Sequence, residues 1–546
     1  MPASLHDLQG LTTLRNLCYL IGGIILLRIL QWSYGPIRRL FSPLRHLPGP
    51  KCESMIFGNM KRIFSNPNLV VQEQWAEEYG STFAYRGILM SYRLFTLDIR
   101  ALSFILSEPE TFTKPKNLRQ GIVGLLGQGL FFAEGDTHKR QRRIMNPAFG
   151  SLQIRELLPV FWQKSSQLKD IWLNMTKTQS EGKADINVLP WLSRATLDII
   201  GVAGFDYHFN SLENDDKDEL ALAFKKGFQS GQNLGIMAVL QGLFPILQII
   251  SSDERSRGQA EASATMRRIG ARLIADKQGA LSQELKTGSA AQGRDLLTLL
   301  IKSNMAFENE GQRMADDEVL GQISTFLVAG HETTGTSTTW ALYALAKHPE
   351  VQRKLRQELL ESGLGDEPSM ADLDKLPYLG DFVHECLRLY PAVPATLREA
   401  AHEIRIPTSR PYADRKGVER TFVTLQKGDG ILIPILAMNR DKNIWGEDAM
   451  QFRPDRWSNL PEAAKDMPGV WGHLMTFTYG SRSCIGFRFA LIEMKAMLYT
   501  LVRAIEFEIN PTIEMQTKSL SARPLITSRP QEGNQMPLVC KPIPVI

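Results

Sequence analysis

A ten-residue stretch near the carboxyl end constrains this chain more than any other feature. Residues 477–486 have the sequence Phe-Thr-Tyr-Gly-Ser-Arg-Ser-Cys-Ile-Gly, which places Cys484 between Gly480 and Gly486. Glycine permits positive φ angles and close backbone approach, and the apolar run after the cysteine predicts a helix. The start of a helix presents free N–H groups and a positive dipole end, which favour a thiolate over a thiol. A lone cysteine is more often a buried, inert side chain, and these neighbours argue against that interpretation.

Composition and charge exclude several classes of protein. The net charge of +5 is small for 546 residues and does not indicate nucleic acid as a partner. The five cysteines are scattered without a Cys-x-x-Cys pair, which argues against a disulfide scaffold and for a reducing compartment. No Gly/Ser-rich or Pro-rich linker divides the middle of the chain, and no internal repeat is visible. The simplest organisation is one large domain with an N-terminal appendage.

An apolar segment over residues 14–34 is interrupted only by Arg15 and Arg28. A membrane span needs roughly 20 residues, so this segment fits if Arg28 reaches back to the interface. A cleaved signal peptide is the alternative, but it would begin with basic residues and end in small ones, and this segment does neither. The basic residues that follow place the body of the chain in the cytosol.

These features predict three parts: an N-terminal membrane anchor over 1–35, a basic proline-rich hinge over 36–52, and a catalytic domain over 53–546. The hinge contains Leu47-Pro48-Gly49-Pro50, which ends any helix and stiffens the chain.

The rest of the chain predicts a mainly α fold with small β-sheets. Alternating residues predict a hairpin over 82–106, and further hairpins over 404–435. The polar residues 280–294 predict a surface loop. A long buried helix is expected from a cap at Asp316 or Asp317 to about Lys347. The apolar, Gly-interrupted residues 228–250 fit either a core segment or a mobile lid.

Four separated motifs together resemble the cytochrome P450 family, in that family's order and over residues 48–545. The first is the Phe-x-x-Gly-x-Arg-x-Cys-x-Gly pattern of Phe477 to Gly486, which resembles the haem-binding loop. The others are a His-x-x-x-Arg element, a Gly-x-Glu-Thr segment in the long helix, and a Glu-x-x-Arg pair with a later arginine. Their residues are His138 and Arg142; Gly330, Glu332 and Thr333; and Glu385, Arg388 and Arg456.

The resemblance implies how haem b would be bound. Cys484 would be the axial thiolate ligand of the iron, within a loop that Phe477, Arg482 and Gly486 complete. His138 and Arg142 would bind one haem propionate, with histidine where the family more often has tryptophan. Arg398 would bind the second propionate, and the nearby residues 392–397 would line the substrate pocket. Neighbouring cations on the His138 helix (Lys139, Arg140 and Arg143) would form a docking face for an acidic redox partner.

The motif in the long helix implies the chemistry. Gly330 would leave a groove for O2, although packing tolerance alone also explains a glycine there. Thr333 would donate a hydrogen bond during oxygen activation, and Glu332 would relay protons. Glu385, Arg388 and Arg456 would form a structural clamp rather than catalyse. A turn over residues 520–524 is expected to reach back into the pocket.

The function implied by the resemblance is that of a membrane-anchored haem-thiolate monooxygenase. It would insert one atom of O2 into a lipophilic small molecule of the terpenoid, sterol or fatty-acid type. Electrons would come from NADPH through a separate cytochrome P450 reductase, with cytochrome b5 as a further partner. The expected location is the endoplasmic reticulum membrane, with one span and a cytosolic catalytic domain. The alternatives are a haem-thiolate isomerase or dehydratase that needs no reductase, and a haem-binding sensor without activity.

Overall fold

The structure is a computed structural model, and it describes residues 41–179, 182–214, 217–223, 225, 254–287, 293–510, 515–517 and 521–544. The predicted anchor, the start of the predicted hinge and the apolar segment 228–250 lie outside the described residues.

The described helices are α1 (Met60–Ser65), α2 (Val70–Tyr79), α3 (Ile99–Ser107), α4 (Lys116–Leu126), α5 (Gly135–Met145), α6 (Ser151–Lys177), α7 (Val188–Phe205), α8 (Ser211–Asn214), α9 (Glu254–Thr287), α10 (Leu296–Met305), α11 (Asp316–Lys347), α12 (Pro349–Glu361), α13 (Met370–Leu373), α14 (Pro377–Leu389), α15 (Ile435–Met438), α16 (Lys442–Trp445), α17 (Glu462–Lys465) and α18 (Phe487–Ala504). The described strands are β1 (Thr82–Arg86), β2 (Tyr92–Thr96), β3 (Phe112–Thr113), β4 (Ala184–Asn187), β5 (Thr396–Ala400), β6 (Ile404–Ala413), β7 (Glu419–Leu425), β8 (Gly430–Ile433), β9 (Ile505–Glu508), β10 (Met515–Thr517), β11 (Pro524–Ile526) and β12 (Pro537–Pro542).

The strands form small sheets at the margins of a helical body, as the sequence predicts. The largest has the order β1-β2-β8-β5-β3, with β2 and β8 parallel and the other neighbours antiparallel. A second sheet has the order β4-β12-β9, and β6-β7 and β10-β11 form two-stranded pairs. The β6-β7 pair confirms a hairpin within the predicted stretch 404–435, whereas β8 joins the large sheet.

The long helix α11 passes through the core and packs along α7. A Cβ atom added at Gly330 would lie 2.9 Å from Ile200 Cγ1 on α7, so a glycine lets the two helices approach closely. Thr196 Oγ1, also on α7, lies 2.9 Å from the carbonyl oxygen of His331. Among the described helices, α7 is long and apolar enough to cross a membrane, but most of it is buried against the protein.

Three predictions of local structure are wrong in part. The hairpin predicted over 82–106 ends at Thr96, because Asp98 caps α3 by accepting a hydrogen bond from Ala101 N at 2.9 Å. The surface loop predicted over 280–294 is helical as far as Thr287, where α9 ends. The cap of α11 is neither Asp316 nor Asp317.

The N-cap of α11 is Ala315. Glu318, three residues further on, accepts the hydrogen bond of Ala315 N at 3.0 Å. The carboxylate therefore satisfies a backbone donor that the first turn leaves without a helical partner.

Candidate haem-binding and oxygen-activation site

The cysteine loop is folded tightly between two short 3₁₀ turns and α18. Cys484 N donates to Phe477 O at 2.9 Å, and Ser483 N donates to Gly480 O at 3.0 Å. Gly480 has a φ angle of +75°, and a Cβ atom there would lie 2.4 Å from Leu106 O. A larger residue would clash with the end of α3, so the sequence of this loop is restricted by the backbone that it contacts.

The side chain of Cys484 is exposed, yet desolvation by the surrounding protein raises the pKa of its thiol above the ordinary value. A hydrogen bond from the backbone of Gly486 lowers that pKa, as the sequence predicts, and the nearby Arg142 cation acts in the same direction, but together they have a smaller effect than desolvation. A metal ion reverses this balance, because a coordinating thiol is deprotonated outright.

Arg142 ties α5 to the cysteine loop. Its Nη1 donates to Ser483 O at 2.5 Å, and its Nη2 lies 3.4 Å from Ser483 Oγ. His138, one turn earlier, is buried, and burial together with nearby cations lowers its pKa to about 3. The structure therefore places both residues of the His-x-x-x-Arg element beside the cysteine loop, with Arg142 bound to the loop backbone.

Several buried or half-buried cations lie close to one another. They are Lys114, Arg119, His138, Arg142, Arg398 and Arg482. Burial lowers the pKa of Lys114 to about 7 and that of Arg398 to about 10, and in both cases the Arg482 cation acts in the same direction. One carboxylate, Glu134, acts in the opposite direction on these pKa values, and it pairs with Arg482.

This excess of positive charge fits the two propionates of a haem. Buried charges are normally paired, and one glutamate does not balance the cluster. Two carboxylates would, and the sulfur of Cys484 supplies the donor that haem iron requires. Cys484 would hold the iron, and His138, Arg398 and Arg482, together with Lys114, would hold the propionates.

The centre of α11 combines a hydroxyl, a carboxylate and an exposed small residue. Thr333 Oγ1 donates to Ala329 O at 2.6 Å, and it is half-buried. Ala329, one turn earlier on the same face, is exposed although most of this helix is buried. Glu332 is buried and is paired with Arg523, from the turn before β11. The glycine that precedes them, Gly330, packs against Ile200.

Glu385, Arg388 and Arg456 are brought together, as the resemblance implies. Arg388 donates to Glu385 through Nε at 2.9 Å and Nη2 at 2.7 Å, and Arg456 Nε approaches the same carboxylate at 3.4 Å. Trp457 Nε1 also donates to Glu385 at 3.1 Å. The carboxylate and its cations are almost wholly buried, so the cluster joins α14 to the segment before the cysteine loop.

The predicted basic docking face is smaller than expected. Arg140 donates to Glu318 on α11 at 2.6 Å, and Lys139 pairs with Glu110. Arg143 is exposed, with its guanidinium over the ring of Phe307 at 4.9 Å. Only part of the charge that the sequence places on this helix is therefore directed outward.

Sequence reasoning missed four residues of the site: Lys114, Arg119, Glu134 and Arg523. Each reaches its partners from a distant part of the chain; Arg523 and Glu332, for example, are 191 residues apart. No local pattern marks such pairs, because spacing identifies only neighbours within an element.

A cysteine loop of this geometry, a cationic cluster beside it and a threonine on the long helix α11 are typical of the class of haem-thiolate proteins. The cytochrome P450 family model matches residues 47–535, and the chain belongs to this family, which carries haem iron. It is 46% identical over 550 residues to cytochrome P450 monooxygenase 128 of Postia placenta, covering 98% of each chain. It is 35% identical to cytochrome P450 monooxygenase claQ of Ampulloclitocybe clavipes (91% and 92% covered). It is also 33% identical to ganoderic acid synthetase CYP5150L8 of Ganoderma lucidum (86% and 88% covered).

These comparisons confirm the family and the type of enzyme predicted from the motifs: the chain is a cytochrome P450 monooxygenase.

Proposed function

We propose that this monooxygenase inserts one oxygen atom into a lipophilic terpenoid or sterol-like secondary metabolite. Electrons would come from NADPH through a separate cytochrome P450 reductase, with cytochrome b5 as a further donor. The observation that carries the proposal is the hydroxyl of Thr333 beside the exposed Ala329 on α11. A positioned proton donor is what the reduction and insertion of oxygen require.

The residues of this chain would divide the work as follows. When bound, the haem supplies the activation of oxygen. Cys484 holds it through the sulfur, while the cation cluster neutralises its propionates and fixes its orientation. Thr333 holds a proton at Oγ1, which rotation about χ1 redirects from Ala329 O towards the pocket. Glu332 would supply protons to that hydroxyl.

The nature of the substrate is proposed from two observations. Val393, between two buried residues in the segment predicted to line the pocket, keeps an exposed apolar side chain, and Ala329 is apolar as well. One relative is named for the synthesis of ganoderic acid. An apolar lining with few polar groups is typical of sites for lipophilic ligands.

The anchor over 1–35, the hinge over 36–52 and the catalytic domain over 53–546 remain part of the proposal, with the body on the cytosolic face of the endoplasmic reticulum. The support is the apolar segment 14–34 and the basic residues after it. To test the anchor, cells that make either the full chain or a chain lacking residues 1–35 are fractionated. Equal recovery of both chains in the membrane pellet after a carbonate wash would contradict an anchor in that segment.

The deciding experiment is NADPH-dependent turnover in membranes that contain the chain and a reductase. A panel of terpenes, sterols and fatty acids is supplied, and products are identified by mass. The proposal expects a product that gains one oxygen and requires the reductase.

Thr333→Ala in the same membranes tests the role of the hydroxyl. We expect it to retain haem and to release peroxide in place of product. Thr338→Ala is a matched control, since Thr338 Oγ1 also bonds to a carbonyl one turn earlier (2.9 Å) but is fully buried. An undiminished product yield from Thr333→Ala would contradict the proposed proton donor.

Two other activities make different predictions. An isomerase or dehydratase would convert a peroxide substrate without NADPH and would be indifferent to Thr333→Ala. A sensor would bind haem through Cys484 and show no turnover on any substrate. In each case Cys484→Ala is expected to abolish the thiolate-type carbon-monoxide spectrum, so this variant tests the ligand and not the reaction.

A further inference from the structure

The carboxylate of Glu332 is held by a turn near the carboxyl end of the chain. Arg523 donates one N–H group to each oxygen of Glu332, and Ser521 Oγ lies 3.2 Å from Oε1. Glu332 is only 4% exposed, whereas the Arg523 side chain is 22% exposed. A bidentate pair of this kind fixes both the position and the orientation of a carboxylate.

The backbone of this turn is fixed independently of the ion pair. Ala522 O accepts a hydrogen bond from Trp340 Nε1 at 2.6 Å, and Ala522 N donates to Ala392 O at 2.8 Å. All three residues are buried. The turn is therefore anchored to α11 and to the segment before β5, and separation of Glu332 from Arg523 requires a movement of the arginine side chain rather than of the backbone.

The charges around Glu332 favour its ionised form. Burial is the largest single effect and would raise its pKa, but Arg523, the neighbouring His331 and the hydroxyl of Ser521 together outweigh it. The net effect is a pKa below the ordinary value for glutamate. A carboxylate held in this state has no proton to give to Thr333.

We propose that Arg523 is a positioning residue for proton transfer: it holds Glu332 in an ion pair, and its side chain must move away before Glu332 can pass protons to Thr333. This inference rests on the proposed role of Glu332. Once released, Glu332 takes a proton from water and passes it to Thr333 Oγ1, and the hydroxyl proton moves on to the oxygen that the reductase's electrons reduce. Each proton delivered is thus replaced from solvent.

The first test needs no substrate. Purified holoenzyme with reductase, NADPH and O2 is assayed for hydrogen peroxide released per NADPH consumed, at a series of pH values. Protonated Glu332 is expected to lower the share of peroxide, so that this share rises with pH through the pKa of the carboxyl. In Arg523→Gln the pH midpoint of that rise should move up by about one unit or more, because a buried carboxyl without a cation binds its proton more tightly.

Matched variants separate positioning from a general loss of charge or structure. Arg523→Lys keeps the charge but not the bidentate geometry, and its midpoint should lie between those of the wild type and Arg523→Gln. Arg529 lies six residues beyond Arg523 and pairs with Glu532, so Arg529→Gln removes a nearby cation and should leave the midpoint unchanged. An equal shift in Arg529→Gln would overturn the inference.

A second measurement does not depend on turnover. In the infrared spectrum of the resting protein, recorded at a pH between the two midpoints, Arg523→Gln should show an additional protonated carboxyl band. The wild type and the double variant Arg523→Gln/Glu332→Gln should both lack this band. If Glu332→Gln alone leaves the peroxide share unaltered at every pH, Glu332 is not in the proton path and the proposed role falls with the inference. If Glu332→Gln removes the pH dependence but Arg523→Gln produces neither the shift nor the band, only the inference is overturned.

Discussion

Removal of the Glu385 carboxylate is the perturbation whose size follows most directly from the structure. Besides its two bonds from Arg388, Glu385 accepts Arg453 N at 2.9 Å, Trp457 Nε1 at 3.1 Å and Arg456 Nε at 3.4 Å. Glu385→Ala leaves these donors without their acceptor at a site where the side chains of Glu385 and Arg388 are fully buried. Breaking a buried ion pair costs about 3–5 kcal/mol.

The cost should lie at the lower end of that range. Arg388 keeps three carbonyl acceptors, Asn439 O at 2.9 Å, Ala449 O at 2.6 Å and Gln451 O at 3.2 Å. Arg456 keeps Asp448, whose Oδ1 lies 2.7 Å from Nη1. We therefore expect a loss of about 3 kcal/mol in the free energy of unfolding. With an unfolding entropy of about 2.1 cal/mol/K per residue over roughly 490 residues, this corresponds to a fall in Tm of about 3 °C.

The assay is thermal unfolding of the purified holoenzyme by circular dichroism at one scan rate, since large proteins often unfold irreversibly. Asp455→Asn is the control, because it breaks a neighbouring ion pair (2.5 Å to Lys354) whose side chains are 54% and 64% exposed. Such surface pairs contribute about 0–1 kcal/mol, so its Tm should fall by less than about 1 °C. If Glu385→Ala lowers Tm no more than the control does, the buried cluster is not the structural clamp described above.

Three further predictions concern other parts of the site. Gly330→Ala should destabilise the fold by about 1–3 kcal/mol, because the new Cβ would lie 2.9 Å from Ile200 Cγ1. Urea unfolding measures this loss. Gly365→Ala is the control, because a Cβ atom at Gly365 meets no atom within 4 Å. Burial lowers the pKa of His384 from 6.5 to about 4. The unfolded chain therefore binds the extra proton first, and stability should fall as the pH drops from 6.5 to about 4 but not change through this group above 6.5. His384→Phe should flatten that part of the pH–stability curve, and an unchanged slope would contradict the assignment. Arg398→Gln should increase the rate at which haem passes to an apo-myoglobin acceptor, and an unaltered rate would exclude Arg398 as a propionate ligand.

The elements that carry the site could be predicted where local sequence determines them. The cysteine loop and the long helix were predictable because turn residues and periodicity act within a few residues. The error at residues 97–106 has the same origin. Leu102, Ile105 and Leu106 follow helical spacing behind the cap at Asp98, but the preceding strands made the alternation appear to continue.

The electrostatics of the site could not be predicted in this way. Arg523 binds Glu332 from a segment 191 residues away, and Glu134 binds Arg482 from a segment 348 residues away. Both ion pairs follow from how these segments pack in the fold. Arg523 belongs to no motif, and the motif that marks Arg482 does not indicate its carboxylate partner. The family resemblance identified the residues, but the ion pairs that set their charge states required the fold.

The hydrogen bond between Arg142 and Ser483 also has a consequence for how the enzyme is made. These residues are 341 positions apart, and at about 5–20 residues per second a ribosome needs roughly 17–70 s to pass from one to the other. During that interval the nascent chain has the cations on its early helices but not yet the sulfur of Cys484. If Cys484 binds the haem iron as proposed, capture of the cofactor waits until translation is nearly complete, and chains that terminate before Cys484 should leave the ribosome without iron.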